Sequence, residues 1–126
     1  MRATAGILSL ATADSLVVID ELGRGTSPLE GTAIAHAIAE ELIRSKAACF
    51  FATHFFELAT TLSGYESVVN LHLQVEASRK GAVRYNYHIV DGVPEESHYG
   101  LQLAEVAGLP ADVLAVAQGQ SRRAWT

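Results

Sequence analysis

A chain of 126 residues and 13.4 kDa is long enough for one modest domain and too short for two independent ones. With 49% hydrophobic and 18% charged residues and a mean hydropathy of +0.20, it lies outside the composition of disordered chains. Nine Lys and Arg against fourteen Asp and Glu leave a net charge of −5, so charge alone supplies no nucleic-acid surface. The single cysteine, Cys49, closes no intrachain disulfide, which fits a reducing compartment.

The chain opens with Met1-Arg2 and the small, apolar stretch Ala3–Ala13, which has the outline of a secretory signal. Thr4, Gly6, Ser9 and Thr12 interrupt it, and it runs straight into a strand without a polar start. No run approaches the roughly 20 apolar residues of a membrane span, and a soluble, intracellular chain is expected. Leu16-Val17-Val18-Ile19 reads as a buried strand stopping at Asp20-Glu21, and Ala47–Ala52 repeats the pattern before Thr53-His54. Between them, Ser27-Pro28-Leu29-Glu30 is a capping box with proline in the first turn. Ile34, Ala35, Ile38, Ala39, Leu42 and Ile43 then keep one helical face apolar. A strand, a crossover helix and a second strand make a parallel β-α-β unit.

A short helix is expected near Phe56–Leu62. Two alternating runs follow, one at Val69, Leu71, Leu73 and Val75 and one at Val83, Tyr85, Tyr87 and Ile89, joined by Ser78-Arg79-Lys80-Gly81 into a hairpin. Helices near Tyr99–Ala107 and Ala111–Gln118 flank Gly108-Leu109-Pro110, a helix stop followed by a proline start. The expected fold class is α/β, with a sheet that is parallel at the first two strands and turns antiparallel at the hairpin.

Ligands of parallel α/β sheets gather at the carboxyl ends of strands, where Asp20-Glu21 and Thr53-His54 both fall. An apolar strand delivering two acids suits nucleotide hydrolysis: the first carboxylate serves the Mg²⁺ shell and the second orients or deprotonates water. The plainer reading of the same pattern is a solvated strand cap or a salt-bridge partner. Glu21-Leu22-Gly23-Arg24-Gly25-Thr26-Ser27 places glycines on both sides of an arginine, between strand and helix, where backbone N–H groups approach an anion or a partner chain.

The string Asp20–Ser27, followed by Ala52-Thr53-His54, resembles the MutS family of DNA mismatch-recognition ATPases. The resemblance covers nearly the whole chain through Ala3–Thr12, Val69-Asn70-Leu71-His72, Tyr99-Gly100-Leu101 and Ala107-Gly108-Leu109-Pro110. Lys46-Ala47, Phe51–Phe55 and Glu95-Glu96-x-x-Tyr99-Gly100-Leu101-x-x-Ala104-Glu105-Val106 look closest to its meiotic branch, MutS homologue four. The resemblance implies a P-loop NTPase-like, ABC-type domain in which Asp20-Glu21 ends the Walker B strand. Asp20 would hold Mg²⁺, Glu21 would act on water, and His54 would sense the γ-phosphate of ATP. Gly23, Arg24, Gly25, Thr26 and Ser27 would line the nucleotide and dimer-facing turn. It further implies a MutS-family partner subunit, a clamp on mismatched or branched DNA made by domains outside these residues, no membrane, and a nuclear location.

No Gly-Lys-Ser/Thr string of a Walker A loop occurs in these residues, so the chain is expected to represent the carboxy-terminal half of the ATPase domain and to bind ATP weakly or not at all alone. A missing central strand would leave a bare sheet edge and an exposed apolar face, favouring self-association. Two rival readings stand beside this one: a truncated, non-enzymatic dimerisation module, and a small metal-dependent hydrolase built on Asp20, Glu21 and His54. Ser27 is equally explained as a helix cap, which makes Thr26 the better candidate for a contact across a dimer. Arg24 meets a phosphate or partner, or projects into solvent. His36, His72, His88 and His98 read as surface or strand-face residues, Cys49 as inert packing, and Phe50, Phe51, Phe55 and Phe56 as core or edge aromatics. Tyr85 and Tyr87 read as cross-strand packing.

Overall fold

The computed structural model describes residues 2–77, 83–94 and 99–124 and is α/β. The chain divides into two compact units with bounds Met1–Asn70 and Leu71–Thr126.

In the first unit, β1 (Leu16–Asp20) and β2 (Ala48–Ala52) pair in parallel, in register from Leu16 opposite Ala48 to Asp20 opposite Ala52. The connection is α2 (Pro28–Ser45), capped by Ser27 and closed by Lys46 in the left-handed conformation. The burial of Gly31, Ala35, Ala39 and Leu42 traces one stripe of this helix. Leu42 packs with Val17 and Ile19 of β1, while Ala35 and Ala39 pack with Leu58 and Leu62 from α3 (Phe56–Thr61) and the turn after it. The stretch with the outline of a signal is a packed helix, α1 (Arg2–Leu10), which brings Ile7 and Leu8 against the Val17, Ile19 and Leu42 cluster.

The two strands differ from the buried pair expected. β1 alternates: Val17 and Ile19 are buried, whereas Leu16 and Val18 are 67% and 69% exposed. β2 presents Phe50, 65% exposed, on the same bare face as Val18, its register partner. A continuous apolar run does not say whether one face or two will be covered, and here only one is. Cys49 retains solvent contact, but partial burial pushes its thiol pKa up, away from the nucleophilic thiolate.

A polar network ties α2 to the end of α3. Tyr65 donates its hydroxyl hydrogen to Glu40 Oε1 at 2.7 Å, His36 Nε2 lies 3.5 Å from the same oxygen, and His36 Nδ1 lies 3.2 Å from Thr61 Oγ1. The Tyr65 hydrogen bond holds the Glu40 carboxyl below its ordinary 4.5, and the same bond holds the Tyr65 phenol above its ordinary 10.0. A lowered carboxyl stabilises the fold above its unfolded pKa and loses that contribution as pH falls through the folded value. A raised phenol contributes below its unfolded pKa and loses it as pH rises through the folded value. Tyr65→Phe is therefore expected to lower Tm slightly between pH 4.5 and 10.0, with the difference from wild type closing in strong acid and strong base. Thermal melts across pH check this; a difference constant with pH would assign it to packing instead.

In the second unit, β3 (Leu71–Ala77) and β4 (Val83–Asp91) form an antiparallel hairpin whose turn lies outside the described residues. The parallel pair and the hairpin are separate two-stranded sheets, not one sheet that turns antiparallel. After β2, residues 53–70 go into α3 and turns. Asn70 donates from Nδ2 to the Ala59 carbonyl at 2.9 Å rather than continuing a strand, so β3 takes its ladder from β4. The hairpin also corrects the reading of Tyr87. Leu73 opposes Ile89 while Val75 opposes Tyr85, so β4 carries extra residues across this step and bulges. Tyr87 lies in the bulge at φ 56° and is 82% exposed, without cross-strand packing, whereas Tyr85 does oppose Val75. His72 Nδ1 lies 2.9 Å from the Gly92 carbonyl.

Helices α4 (Tyr99–Val106) and α5 (Ala111–Ala124) follow, and α5 continues past Gln118, its expected end, because Gly119 keeps the helical conformation rather than turning left-handed. Gly108 at φ +85° ends α4: its N–H donates to Glu105 O and that of Leu109 to Ala104 O, both at 3.0 Å, a Schellman closure. His98, Glu95 and Glu96 lie outside the described residues.

Candidate functional site

The first residue past β1 turns the chain. Glu21 N–H donates to Ala52 O at 2.9 Å, extending the parallel ladder by one bond, while its own backbone sits in the left-handed region at φ 50°. A side chain in that conformation costs about 1 kcal/mol, a strain that folds tolerate where geometry serves a site. The turn brings Glu21 Oε1 to 3.0 Å from His54 Nε2, at the end of β2 and 33 residues away. Glu21 Oε2 accepts a hydrogen bond from Arg24 Nη1, three residues on. Arg24 and His54 side chains are 77% and 75% exposed, and Glu21, at 32%, is the sheltered member between them. The Arg24 guanidinium first, and His54 after it, hold the Glu21 carboxyl below its ordinary range against the opposing effect of partial burial.

His54 is held by its neighbours. Thr53 Oγ1 accepts from Phe55 N–H at 3.0 Å, and the His54 carbonyl accepts from Phe56 N–H at 3.1 Å, so the loop from β2 into α3 is tightly turned. Asp20 ends β1 on the bare face of the sheet, and its side chain makes no hydrogen bond or ion pair among the described residues.

Gly23 and Gly25 have φ of +88° and +98°, conformations that side chains rarely adopt, which is why glycines bracket Arg24. Thr26 and Ser27 serve the helix. Ser27 Oγ accepts from Glu30 N–H at 3.3 Å, and both hydroxyls donate to Glu30 Oε2, Thr26 at 2.9 Å and Ser27 at 3.2 Å. The sequence therefore located the cap, and the structure adds Thr26 to it. Ser27→Ala is expected to cost about 1 kcal/mol, the usual value of a lost N-cap, read as a lower denaturation midpoint at unchanged slope.

The structure thus joins Glu21, Arg24 and His54 in one polar cluster, gathers Thr26 and Ser27 at the helix cap, and leaves Asp20 at the strand end. Arg24 turns back onto Glu21 rather than extending outward. Two further residues belong to this place: Gly31, which the sequence did not mark, and Phe55, which it marked only as a core or edge aromatic. The available signal was a glycine inside an otherwise regular helical pattern. A cavity of about 310 Å³ between α4 and α5 is lined by Leu101, Gln102, Glu105 and Gln118 and contains none of these residues.

Among the described residues, no group of three or more His, Cys, Asp and Glu side chains is arranged to hold a metal ion. Mg²⁺ is ordinarily held by one or two carboxylates, with water and phosphate completing its octahedron, so the carboxylate of Asp20, unpaired among the described residues, suits that ion when a nucleotide accompanies it. No helix of the described residues is long and apolar enough to cross a membrane.

The sequence profile of MutS domain V matches residues 1–124. MutS protein homolog 4 of Homo sapiens is 42% identical over 119 residues, 90% of this chain and 13% of that protein. MutS protein homolog 4 of Mus musculus is 40% identical over 119 residues, 90% of this chain and 12% of that protein. The chain spans about one eighth of the length of these curated relatives.

Proposed function

Because the chain belongs to the MutS family through its domain V, we propose that it forms the Walker B half of a MutS-type ATPase domain, in a protein that couples ATP hydrolysis to a clamp on DNA. The observation that carries this reading is the 3.0 Å pairing of Glu21 with His54 at the strand ends beside Asp20. On this reading residues 1–126 run from Walker B to the C-terminal helices of a P-loop NTPase-like, ABC-type domain. The similarity to MutS protein homolog 4 favours a meiotic, crossover-promoting role on branched DNA in the nucleus, with a second MutS-family subunit completing each ATP site.

Bound Mg·ATP supplies the electrophilic phosphorus and the cation that neutralises developing charge. Asp20, free of other side-chain partners among the described residues, would face the cation's shell. Glu21 would orient the attacking water and accept its proton. His54, donating from Nε2 to Glu21 Oε1, fixes the carboxylate's direction, and Arg24 holds the other oxygen. A carboxyl kept below its ordinary range remains ionised at neutral pH, as an acceptor of a water proton must be. Gly23, Gly25, Thr26 and Ser27 would shape the turn toward nucleotide and partner.

The test compares Mg·ATP binding by the 126-residue chain with binding by human MutS protein homolog 4 in which this chain replaces the matching 119 residues. Weak or undetectable binding by the chain and clear binding by the chimera are expected. Tight binding by the chain alone would place a phosphate cradle within these residues and reopen the mechanism. No binding by the chimera would overturn the reading.

A further inference from the structure

Gly31 occupies an ordinary helical position, where glycine is about 1 kcal/mol worse than alanine, so its backbone conformation does not call for it. Its surroundings do. A Cβ on Gly31 would lie 2.5 Å from the Gly23 carbonyl oxygen and 3.0 Å from Phe55 Cζ, and a Cβ on Gly23 would lie 2.6 Å from the Gly31 carbonyl oxygen. Gly25, in the same turn, has open space where its Cβ would be, so the crowding is particular to the Gly23–Gly31 contact. Three segments meet there: the turn carrying Glu21 and Arg24, the first turns of α2, and the ring that directly follows His54. Phe55 is half-buried against the Ala35, Ala39, Leu58 and Leu62 cluster, which anchors that ring to the core.

We propose that Gly31 and Phe55 are positioning residues that set the separation of His54 from Glu21, by letting the acid-bearing turn close onto helix α2 and wedging the histidine loop against the same spot. This rests on the reading of Glu21 and His54 as the hydrolytic pair. Neither residue touches the reacting groups. Each acts through the backbone of the turn, because Gly23 lies between Glu21 and Arg24 and Phe55 adjoins His54. A methyl group on Gly31 must displace the Gly23 backbone, the Phe55 ring, or both, by several tenths of an ångström. The 3.0 Å hydrogen bond joins the two segments that would move.

The readout is the His54 ring tautomer. While Glu21 is ionised it only accepts, so Nε2 must carry the hydrogen, and the bond biases the neutral ring toward that tautomer. In the ¹⁵N-histidine-labelled 126-residue chain at about pH 8, above the ordinary imidazole range, wild type is expected to show well-separated His54 ring-nitrogen shifts. Gly31→Ala is expected to pull them toward averaged values. In the chimera, Gly31→Ala is expected to lower kcat for ATP by about 10- to 100-fold with KM within about 3-fold, the scale of a small misplacement of a reacting pair. Leu114→Ala, which removes a buried side chain from α5 and none that packs on Phe55, is expected to lower Tm without altering the tautomer. If Gly31→Ala does not fold, Phe55→Leu carries the test, since it adds no atoms and shortens the wedge; a smaller shift in the same direction is expected.

A folded variant with the wild-type tautomer overturns the proposal, as does a tautomer that moves equally in Leu114→Ala. If Glu21→Ala leaves turnover in the chimera untouched, the ATPase reading fails, whereas the tautomer experiment still decides whether Gly31 and Phe55 position His54.

Discussion

Glu21→Ala in the full-length chimera is expected to leave Mg·ATP bound and to lower its hydrolysis by about 10²- to 10⁴-fold, the range ordinarily lost with a catalytic acid or base. Binding survives because, on the proposed reading, the phosphates and the cation are held by other groups, and Glu21 meets only the attacking water. The result is a trapped triphosphate, seen as single-turnover retention of labelled ATP. Glu21→Gln keeps the side chain's length and one acceptor oxygen for Arg24, turning a donor NH₂ toward His54 Nε2, while removing the charge, so it separates the loss of the base from disorder in the turn. A turnover that survives both substitutions would remove Glu21 from the mechanism.

The 126-residue chain alone is expected to self-associate through the bare face of its parallel pair. Leu16, Val18 and Phe50 are 67%, 69% and 65% exposed on that face, and Val18 and Phe50 are register partners, so their side chains form one contiguous apolar patch. Burying a side chain of this size gains roughly 1.5–3 kcal/mol, so replacing two of them is expected to weaken association by at least 10-fold. Val18→Thr with Phe50→Thr keeps strand-forming side chains and is expected to shift the chain toward monomer in sedimentation equilibrium. In the chimera the same pair is expected to destabilise instead, since on the proposed reading the remainder of the ATPase domain would cover that face. A wild-type chain that is monomeric at about 100 μM, far above the dissociation constant of a stable dimer, would refute the prediction.

Several elements were legible because their signals are local. Ser27-Pro28 with Glu30 marks the start of α2, an αL glycine at 108 marks the end of α4, and the β-branched run before Asp20 marks β1. The site string was legible for the same reason: Asp20 to Ser27 is contiguous, and the Glu21–Arg24 pair spans only one turn. The helix α1 escaped notice because its small residues carry little periodic contrast, although Ile7 and Leu8 suffice to pack it.

By itself, then, the sequence determined the order of elements from β1 onward, the start of α2 and the end of α4, the family and the positions of the acids and histidine, since each depends on neighbours within a few residues or on a contiguous motif. The tertiary structure alone decided which strand face is covered, that the hairpin forms its own sheet with Tyr87 bulged outward, and that Glu21 meets His54. It also decided that Gly31 must stay bare, because Gly23 and Phe55 crowd it. Contacts between residues eight, 24 and 33 positions apart follow from the path of the backbone between them, and periodicity and capping carry no information about that path.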